Sequence, residues 1–305
     1  MTRISGLKNV LVGPAVFVAF LVLIFPNLAT IAAAKSAPDP AEMRFVVVRG
    51  ASRLCQPKCP EWISAEGRIT TDTPNKLKKL LKSIGDKRLP IIISSPGGDV
   101  DGAVATGRLI RKAGLDVAIG QTTFISCRPD DRACAAEKNG GYVGVPMDGW
   151  GFCESACPFI LSGGGIRLVG NWATLSVHQI TTTFFREDIV YERRYKIVNG
   201  KKKAIGKKKI VSRKKVETHT TTKIPKVLRR KLESYLTEMG VGLEILKYLQ
   251  TTPPEDLLML SKAEMLDLKL ITSLDSLVSL KFRMVCTNGS QTANCDPTES
   301  TAASP

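Results

Sequence analysis

Histidine is scarce in this sequence, with two residues, His178 and His219, among 305. Zinc sites built on imidazole need several histidines close to one another or to cysteines, so the scarcity disfavours such a centre. His219 lies in a run of threonine and lysine. His178 is therefore the only credible candidate for a general base.

Acidic residues are few in one segment. From Arg186 to Lys231 there are 18 Lys/Arg against four Asp/Glu, an excess of 14 in a chain whose net charge is +16. The basicity therefore belongs to this segment rather than to the fold. The segment is either a solvated charged arm or a contact surface for something anionic, such as lipid headgroups or envelope polyanions. Aromatic residues are too sparse for a base-stacking platform, so nucleic acid is not an expected partner.

No charged residue occurs between Val10 and Ala34, whereas Arg3 and Lys8 precede this stretch. A basic start, an apolar run and the small residues 32–34 are typical of a secretory signal peptide, here 1–34. The stretch is also long enough for an uncleaved membrane anchor. The Pro-Asn break at 26–27 favours cleavage. Either alternative predicts that the body of the protein is extracytoplasmic, that is, periplasmic.

The cysteines lack the C-x2-C spacing of zinc-binding motifs. An even number of cysteines in an exported chain favours disulfides, although the sequence leaves their connectivity open. We therefore expect no metal ion and no other cofactor. The eight residues are Cys55, Cys59, Cys127, Cys134, Cys153, Cys157, Cys286 and Cys295.

Strand and helix patterns alternate along the chain, which predicts an α/β core with a mostly parallel sheet in a domain spanning 43–285. Residues 35–42 are predicted to be a linker and 286–305 a disordered tail. The predicted strands are 43–48, 89–93, 115–119 and 173–177, and the predicted helices are 73–84, 102–113, 226–249 and 262–268. A glycine-rich loop is predicted over 139–150. A long two-stranded ribbon, with strands 190–198 and 210–218 around a turn at 199–209, is predicted within a basic insertion at 186–225.

Three short motifs follow one another in an order that suits acyl transfer at serine. Ser95-Pro-Gly-Gly98 is a glycine turn, Gly151-Phe-Cys-Glu-Ser155-Ala-Cys-Pro-Phe contains an alcohol, and Ser176-Val-His178-Gln contains an imidazole. A nucleophile, a base and unencumbered backbone amides are the parts that such chemistry requires. Each motif alone is weak, since Ser-Pro-Gly-Gly is usually only a turn.

These motifs resemble those of the ClpP/crotonase superfamily, specifically the serine-peptidase branch of Clp proteolytic subunits and signal-peptide-peptidase-like proteins. A fourth stretch, from Met259 to Ile271, is similar to a conserved stretch of that branch. The resemblance covers 89–178, less the loop before Gly151, and 256–271. It implies a spiral of ββα units, a peptide or protein substrate and, because Clp subunits assemble through a handle in this region, a homo-oligomer in which the basic ribbon is the assembly arm.

The resemblance also implies roles for single residues. Ser155 would be the nucleophile, His178 the general base, and the amides of Gly98 and Ala156 the oxyanion hole. The orienting aspartate of the branch would align with Leu257, so a shift of one residue is needed to reach Asp256. Glu255 is the other nearby carboxylate, and Asp256 is preferred.

A second departure from the branch also bears on activity. The small residues that usually flank the serine are replaced by Cys153, Glu154 and Cys157. A disulfide from Cys153 or Cys157 to a partner elsewhere would stiffen the surroundings of Ser155. A carboxylate at Glu154 would raise the cost of forming an anion. The expected function is a periplasmic or membrane-anchored serine peptidase, the alternative is an inactive envelope protein of the same fold, and the acyl-CoA branch is a distant third.

Overall fold

The computed structural model describes residues 40–52, 59–125, 127–131, 134, 141–275 and 277. Its strands are β1 (Arg44–Gly50), β2 (Glu61–Glu66), β3 (Ile91–Ser94), β4 (Val117–Ile119), β5 (Gln121–Phe124), β6 (Tyr142–Met147), β7 (Gly149–Glu154), β8 (Arg167–Val169), β9 (Trp172–Val177), β10 (Thr182–Val198), β11 (Lys201–Thr221) and β12 (Leu258–Met259). Its helices are α1 (Thr73–Ile84), α2 (Val100–Ala113), α3 (Cys157–Ser162), α4 (Lys226–Met239), α5 (Ile245–Thr251) and α6 (Lys262–Asp267).

The largest sheet has the strand order β5-β6-β1-β2-β3-β4-β8. Its pairings are parallel except for β1 with β2 and β5 with β6. The short strands β3 and β4 are fully buried, as expected for parallel strands covered on both faces. A second sheet has the order β12-β9-β7, and β10 with β11 forms a third. The predicted α/β class is confirmed.

Local sequence signals account for most helix ends. Thr73-Pro74 opens α1, and Leu77 on its apolar side is buried. The Asp99 carboxylate accepts a hydrogen bond from Gly102 N at 2.6 Å and caps α2. Ser261 and Glu264 form a capping box at the start of α6.

Three predicted segments differ from the structure. The loop expected over 139–150 contains β6 and the start of β7, because pairing with β1 and β5 overrides the weak strand propensity of its glycines. The helix expected over 226–249 is interrupted at Gly240, which has a φ of +68° and ends α4. The ribbon turn is Asn199-Gly200 rather than 199–209, so both ribbon strands are longer than predicted.

Helix α3 is fixed in the core by hydrogen bonds to the carbonyls of its last turn and of the residues that follow it. The Tyr235 hydroxyl donates a hydrogen bond to Phe159 O. Arg111 donates to Ser162 O and Gly163 O at 3.0 Å, and the buried Arg167 donates to Gly164 O at 3.0 Å. These donors satisfy carbonyls at the end of α3, so the segment that follows Ser155 has a well-defined position.

Several predictions lie outside the described residues. These are the signal peptide or anchor at 1–34, most of the linker, the tail at 286–305 and the pairing of Cys55, Cys286 and Cys295. Within the described ranges, no helix has both the length and the apolar character needed to cross a bilayer.

Candidate active site

Ser155 and His178 directly follow two neighbouring parallel strands. Strand β7 pairs with β9 with Glu154 opposite Ser176, and Ser155 N donates a hydrogen bond to Ser176 O at 3.0 Å. Because the carboxyl ends of parallel strands meet at one edge of a sheet, the serine and the histidine lie at the same edge. The structure thus brings the two predicted residues into the same region of the fold.

Ser155 has a left-handed backbone with a φ of +57°. A side chain other than glycine in this region costs about 1–2 kcal/mol. The strand ends at Glu154 and α3 begins at Cys157, so Ser155 occupies a tight turn between strand and helix. Strained turns of this kind present nucleophilic serines in α/β hydrolases, and the sequence alone gave no sign of the strain.

A disulfide closes over this turn. Cys153 and Cys157 are bonded to each other, with a Cα–Cα distance of 5.1 Å, and both are fully buried. The bridge joins residues four apart rather than reaching a partner elsewhere, because the left-handed turn at Ser155 brings Cys153 and Cys157 within bonding distance. The bridge encloses residues 154–156 and limits their backbone freedom. The other described bridge joins Cys127 to Cys134, and both bridges confirm that disulfides are used.

The glycine turn after β3 packs directly against Ser155. Gly97 has a φ of +86°, and a Cβ added to it would lie 2.6 Å from Ser155 Cβ and 2.8 Å from Ala156 N. Only glycine allows this approach. The buried Ser95 holds the turn, since its Oγ accepts a hydrogen bond from Gly97 N at 3.1 Å and donates one to Gly67 O at 2.7 Å.

The two amides predicted to form an oxyanion hole are unused. Ile69 N donates a hydrogen bond to Gly97 O, and Ile69 O accepts one from Asp99 N. Because Ile69 bonds to the residues on either side of Gly98, the Gly98 N–H points away from Ile69. Throughout the described ranges, neither Gly98 N nor Ala156 N has a hydrogen-bond acceptor. Gly98 is also solvent-exposed. Ala156 is buried, with 2% of its surface exposed, so the Gly98 N–H is the donor that is open to a ligand atom.

His178 is half-buried, and burial lowers the pKa of its imidazole below the ordinary 6.5, opposed only in part by the backbone of Gln179. The ring is therefore neutral at neutral pH, as a general base must be. The chain beyond it is fixed to the end of α5, because Gln179 N donates to Thr252 O at 2.8 Å. In the part of the chain that the structure describes, Ser155 Oγ and the imidazole are not hydrogen-bonded to each other.

In the ranges that the structure describes, no carboxylate is hydrogen-bonded to the imidazole. His178 Nδ1 is buried and has no hydrogen-bond partner among the described residues. Strand β12 pairs Leu258 with Val177, so continuing this antiparallel register places Leu257 opposite His178. Asp256 lies in an exposed turn in which its N–H donates to Pro253 O. Among the described residues no hydrogen bond joins Asp256 to His178, and the preceding Glu255 is exposed as well.

Glu154 is a half-buried carboxylate beside Ser155. Burial raises its pKa above the ordinary 4.5. A carboxylate here disfavours a second negative charge nearby, which opposes formation of an oxyanion. It is the one acidic side chain in the stretch from Gly151 to Phe159.

Replacing Glu154 by glutamine is expected to stabilise the protein at neutral pH but not in acid. The folded carboxyl holds its proton above pH 4.5, where the unfolded one has released it, so folding stability falls as pH rises through this window. Glutamine does not ionise, so the variant does not lose folding stability in this pH window. The melting temperature of Glu154→Gln should exceed that of the wild type at pH 7, and the gain should vanish below pH 4.5. Glu255→Gln, at an exposed carboxylate, is the control, and an equal gain at both pH values would contradict the burial argument.

Fold and site together define an α/β protein with a serine and a histidine at adjacent strand ends beside two unused amides. No family model matches the sequence, and the search of curated proteins found no match. Among solved structures the chain is similar to a mutant of the 1510-N membrane-bound stomatin-specific protease, with 13% identity over 72% of this chain and 81% of that one and a TM-score of 0.37. A second mutant of that protease, in complex with a substrate peptide, aligns with 14% identity, coverage of 72% and 77%, and a TM-score of 0.36.

ClpP1 from Listeria monocytogenes is also similar, with 16% identity over 68% of this chain and 86% of that one and a TM-score of 0.36. The sequence resemblance to Clp proteolytic subunits agrees with the presence of ClpP1 among the similar structures. Because the identities and TM-scores are low, the roles of individual residues rest on the contacts within this chain.

Proposed function

We propose that this protein is a serine peptidase in which Ser155 is the nucleophile and His178 the general base. The observation that carries the proposal is the placement of both residues at adjacent strand ends, with Ser155 in a strained left-handed turn against Gly97. A residue held in a strained conformation by its surroundings is typical of active sites.

In the proposed reaction His178 accepts the hydroxyl proton while Ser155 Oγ attacks the carbonyl carbon of a peptide bond. The carbonyl π electrons move to oxygen, and the Gly98 and Ala156 N–H groups stabilise the resulting oxyanion. The imidazolium then protonates the leaving amine, and an acyl-enzyme remains. Water deprotonated by His178 then attacks the ester carbonyl carbon. The ester C–O bond breaks, the imidazolium returns the proton to Ser155 Oγ, and the acid is released. Rotation of the Ser155 side chain has to bring Oγ to the imidazole, as is common when catalytic hydrogen bonds tighten on substrate binding.

The unpartnered Nδ1 of His178 favours a dyad rather than a triad. An acid behind the ring normally fixes the tautomer and stabilises the imidazolium, and a dyad without it is a slower catalyst. The same observation favours the second candidate function, an inactive envelope protein that keeps the fold for assembly or binding. The predicted export signal supports an extracytoplasmic location for either candidate function. The substrates proposed for the peptidase are peptide segments near the membrane.

Covalent labelling by a fluorophosphonate probe tests the proposal, with the modified peptide identified by mass spectrometry. The probe should label Ser155, and labelling should be lost in Ser155→Ala. The labelling rate should fall as pH decreases through the pKa of His178, below 6.5, and should be level at pH 7. Asp256→Asn should be labelled at the wild-type rate, because Asp256 is exposed. Labelling that persists in Ser155→Ala, or no labelling of the oxidised wild type, would overturn the peptidase assignment.

A further inference from the structure

The ribbon formed by β10 and β11 is exposed along its length and carries more than half of the net positive charge of the chain. From Thr182 to Thr221 it contains 13 Lys/Arg and four Asp/Glu, a net charge of +9. Its first strand has 17 residues, which corresponds to a length of about 55 Å. Neither strand pairs with any other strand that the structure describes.

The two faces of the ribbon differ in chemistry. Side chains alternate between faces along a strand, so alternate residues of β10 from 185 to 197 share one face. Five of these seven are apolar or aromatic, and they form what we call the apolar face: Phe185, Ile189, Tyr191, Tyr195 and Ile197. On the other face, five of the six residues at even positions from 186 to 196 are charged: Arg186, Asp188, Glu192, Arg194 and Lys196.

In the cross-strand register, basic residues of β11 lie opposite members of the apolar face, with Arg213 opposite Ile189 and Lys202 opposite Ile197. Ile210 is opposite Tyr191 in the register and extends the apolar face onto β11. Lys215 Nζ lies 4.7 Å from the ring centre of Phe185, so lysine stems border the aromatic side chains. The apolar face is nevertheless open to solvent, since Tyr195 is 56% and Ile197 74% exposed. An exposed apolar stripe of this length indicates a docking surface.

We infer that the apolar face docks on an anionic lipid membrane, with its aromatic and aliphatic side chains inserted at the headgroup level. Tyrosine and isoleucine with adjacent lysines are typical of segments that lie in the membrane interface. A net charge of +9 complements anionic headgroups.

A second copy of the chain fits the apolar face less well. Two ribbons packed through it would bring the same positive charge together within a Debye length, about 8–10 Å. A nucleic acid would use the aromatic rings and the charge but would gain little from Ile189, Ile197 and Ile210, which cannot stack on bases as aromatic rings do.

Docking would also hold the candidate active site close to the membrane. Strand β10 begins at Thr182, four residues after His178. The inference does not require Ser155 to be catalytic, because membrane binding and labelling by a fluorophosphonate are measured separately.

Co-sedimentation of the full chain with mixed phosphatidylglycerol–phosphatidylcholine vesicles tests the inference. The double variant Tyr195→Ser/Ile197→Ser should lower the partition coefficient by about tenfold or more. The matched control Val190→Ser/Val198→Ser changes two apolar side chains at even positions on the same strand and should bind like the wild type. Binding of the wild type should fall as salt increases and should be much weaker to pure phosphatidylcholine.

Depth of insertion gives a second measurement. The emission of a tryptophan introduced by Tyr195→Trp should be quenched by brominated lipids, whereas that introduced by Val198→Trp should not. Equal binding of both double variants would overturn the insertion of the apolar face and leave only electrostatic attraction. The inference is also overturned if the wild type does not bind vesicles, if Tyr195→Ser/Ile197→Ser instead shifts the sedimentation coefficient of a lipid-free oligomer, or if RNA binds in place of the vesicles.

Discussion

Ser155→Ala and His178→Ala are each expected to lower kcat/KM for hydrolysis of p-nitrophenyl acetate by roughly 10⁴-fold or more relative to the wild type. Each variant removes one of the two groups that must exchange a proton in the first step. The double variant should be no slower than either single one, because residues that act as a unit are strongly non-additive. Initial rates at substrate concentrations well below KM provide the measurement.

The chain supplies a matched control for each replacement. Ser83→Ala removes an exposed hydroxyl on α1 that donates only to Leu80 O. His219→Ala removes the other histidine, which is exposed on the ribbon. Both should keep wild-type rates and circular dichroism spectra. A loss in His219→Ala as large as that in His178→Ala, or independent effects of Ser155→Ala and His178→Ala, would contradict the proposed pairing.

Gly97→Ala is expected both to destabilise the fold and to abolish labelling of Ser155. Its new Cβ would lie 2.5 Å from Glu154 O and 2.6 Å from Ser155 Cβ, distances at which the neighbouring chain must move. The left-handed φ adds a further penalty, so the free energy of unfolding should fall by about 2–5 kcal/mol. Urea denaturation measures the stability, and fluorophosphonate labelling of the folded fraction measures the site.

Gly240→Ala separates the two contributions to that loss. Gly240 also has a left-handed backbone, with a φ of +68°, but a Cβ there meets no atom within 4 Å. It should lower the free energy of unfolding by about 1 kcal/mol and leave labelling unchanged. If Gly97→Ala were no more destabilising than Gly240→Ala and still labelled, the glycine turn would not pack against Ser155 as the structure has it.

The elements predicted well are those whose signals are local. Helix α1 begins at Thr73-Pro74 and ends at Ile84 as predicted, because a proline at the start and leucines at helical spacing are sufficient to define it. Strand β6 could not be predicted from its glycines, since its partners β1 and β5 are distant in sequence. Asn199-Gly200 is a typical two-residue hairpin turn, but the run of lysines that follows it favours the longer predicted turn at 199–209.

The candidate site shows the same division. The order of the glycine turn, the serine and the histidine was sufficient to select Ser155 and His178. The Cys153–Cys157 bridge and the close approach of Gly97 depend on a left-handed residue whose backbone angle has no sequence signal. The third member of a triad stays a prediction that this arrangement does not support, because Leu257 rather than Asp256 falls opposite His178 in the strand register.

The most direct test of the account is a crystal structure of the fluorophosphonate adduct. The account predicts phosphorus bonded to Ser155 Oγ, one phosphonyl oxygen at about 2.7–3.1 Å from both Gly98 N and Ala156 N, and His178 within hydrogen-bond reach of the adduct. An adduct on another residue, or a phosphonyl oxygen that points away from both amides, would contradict it.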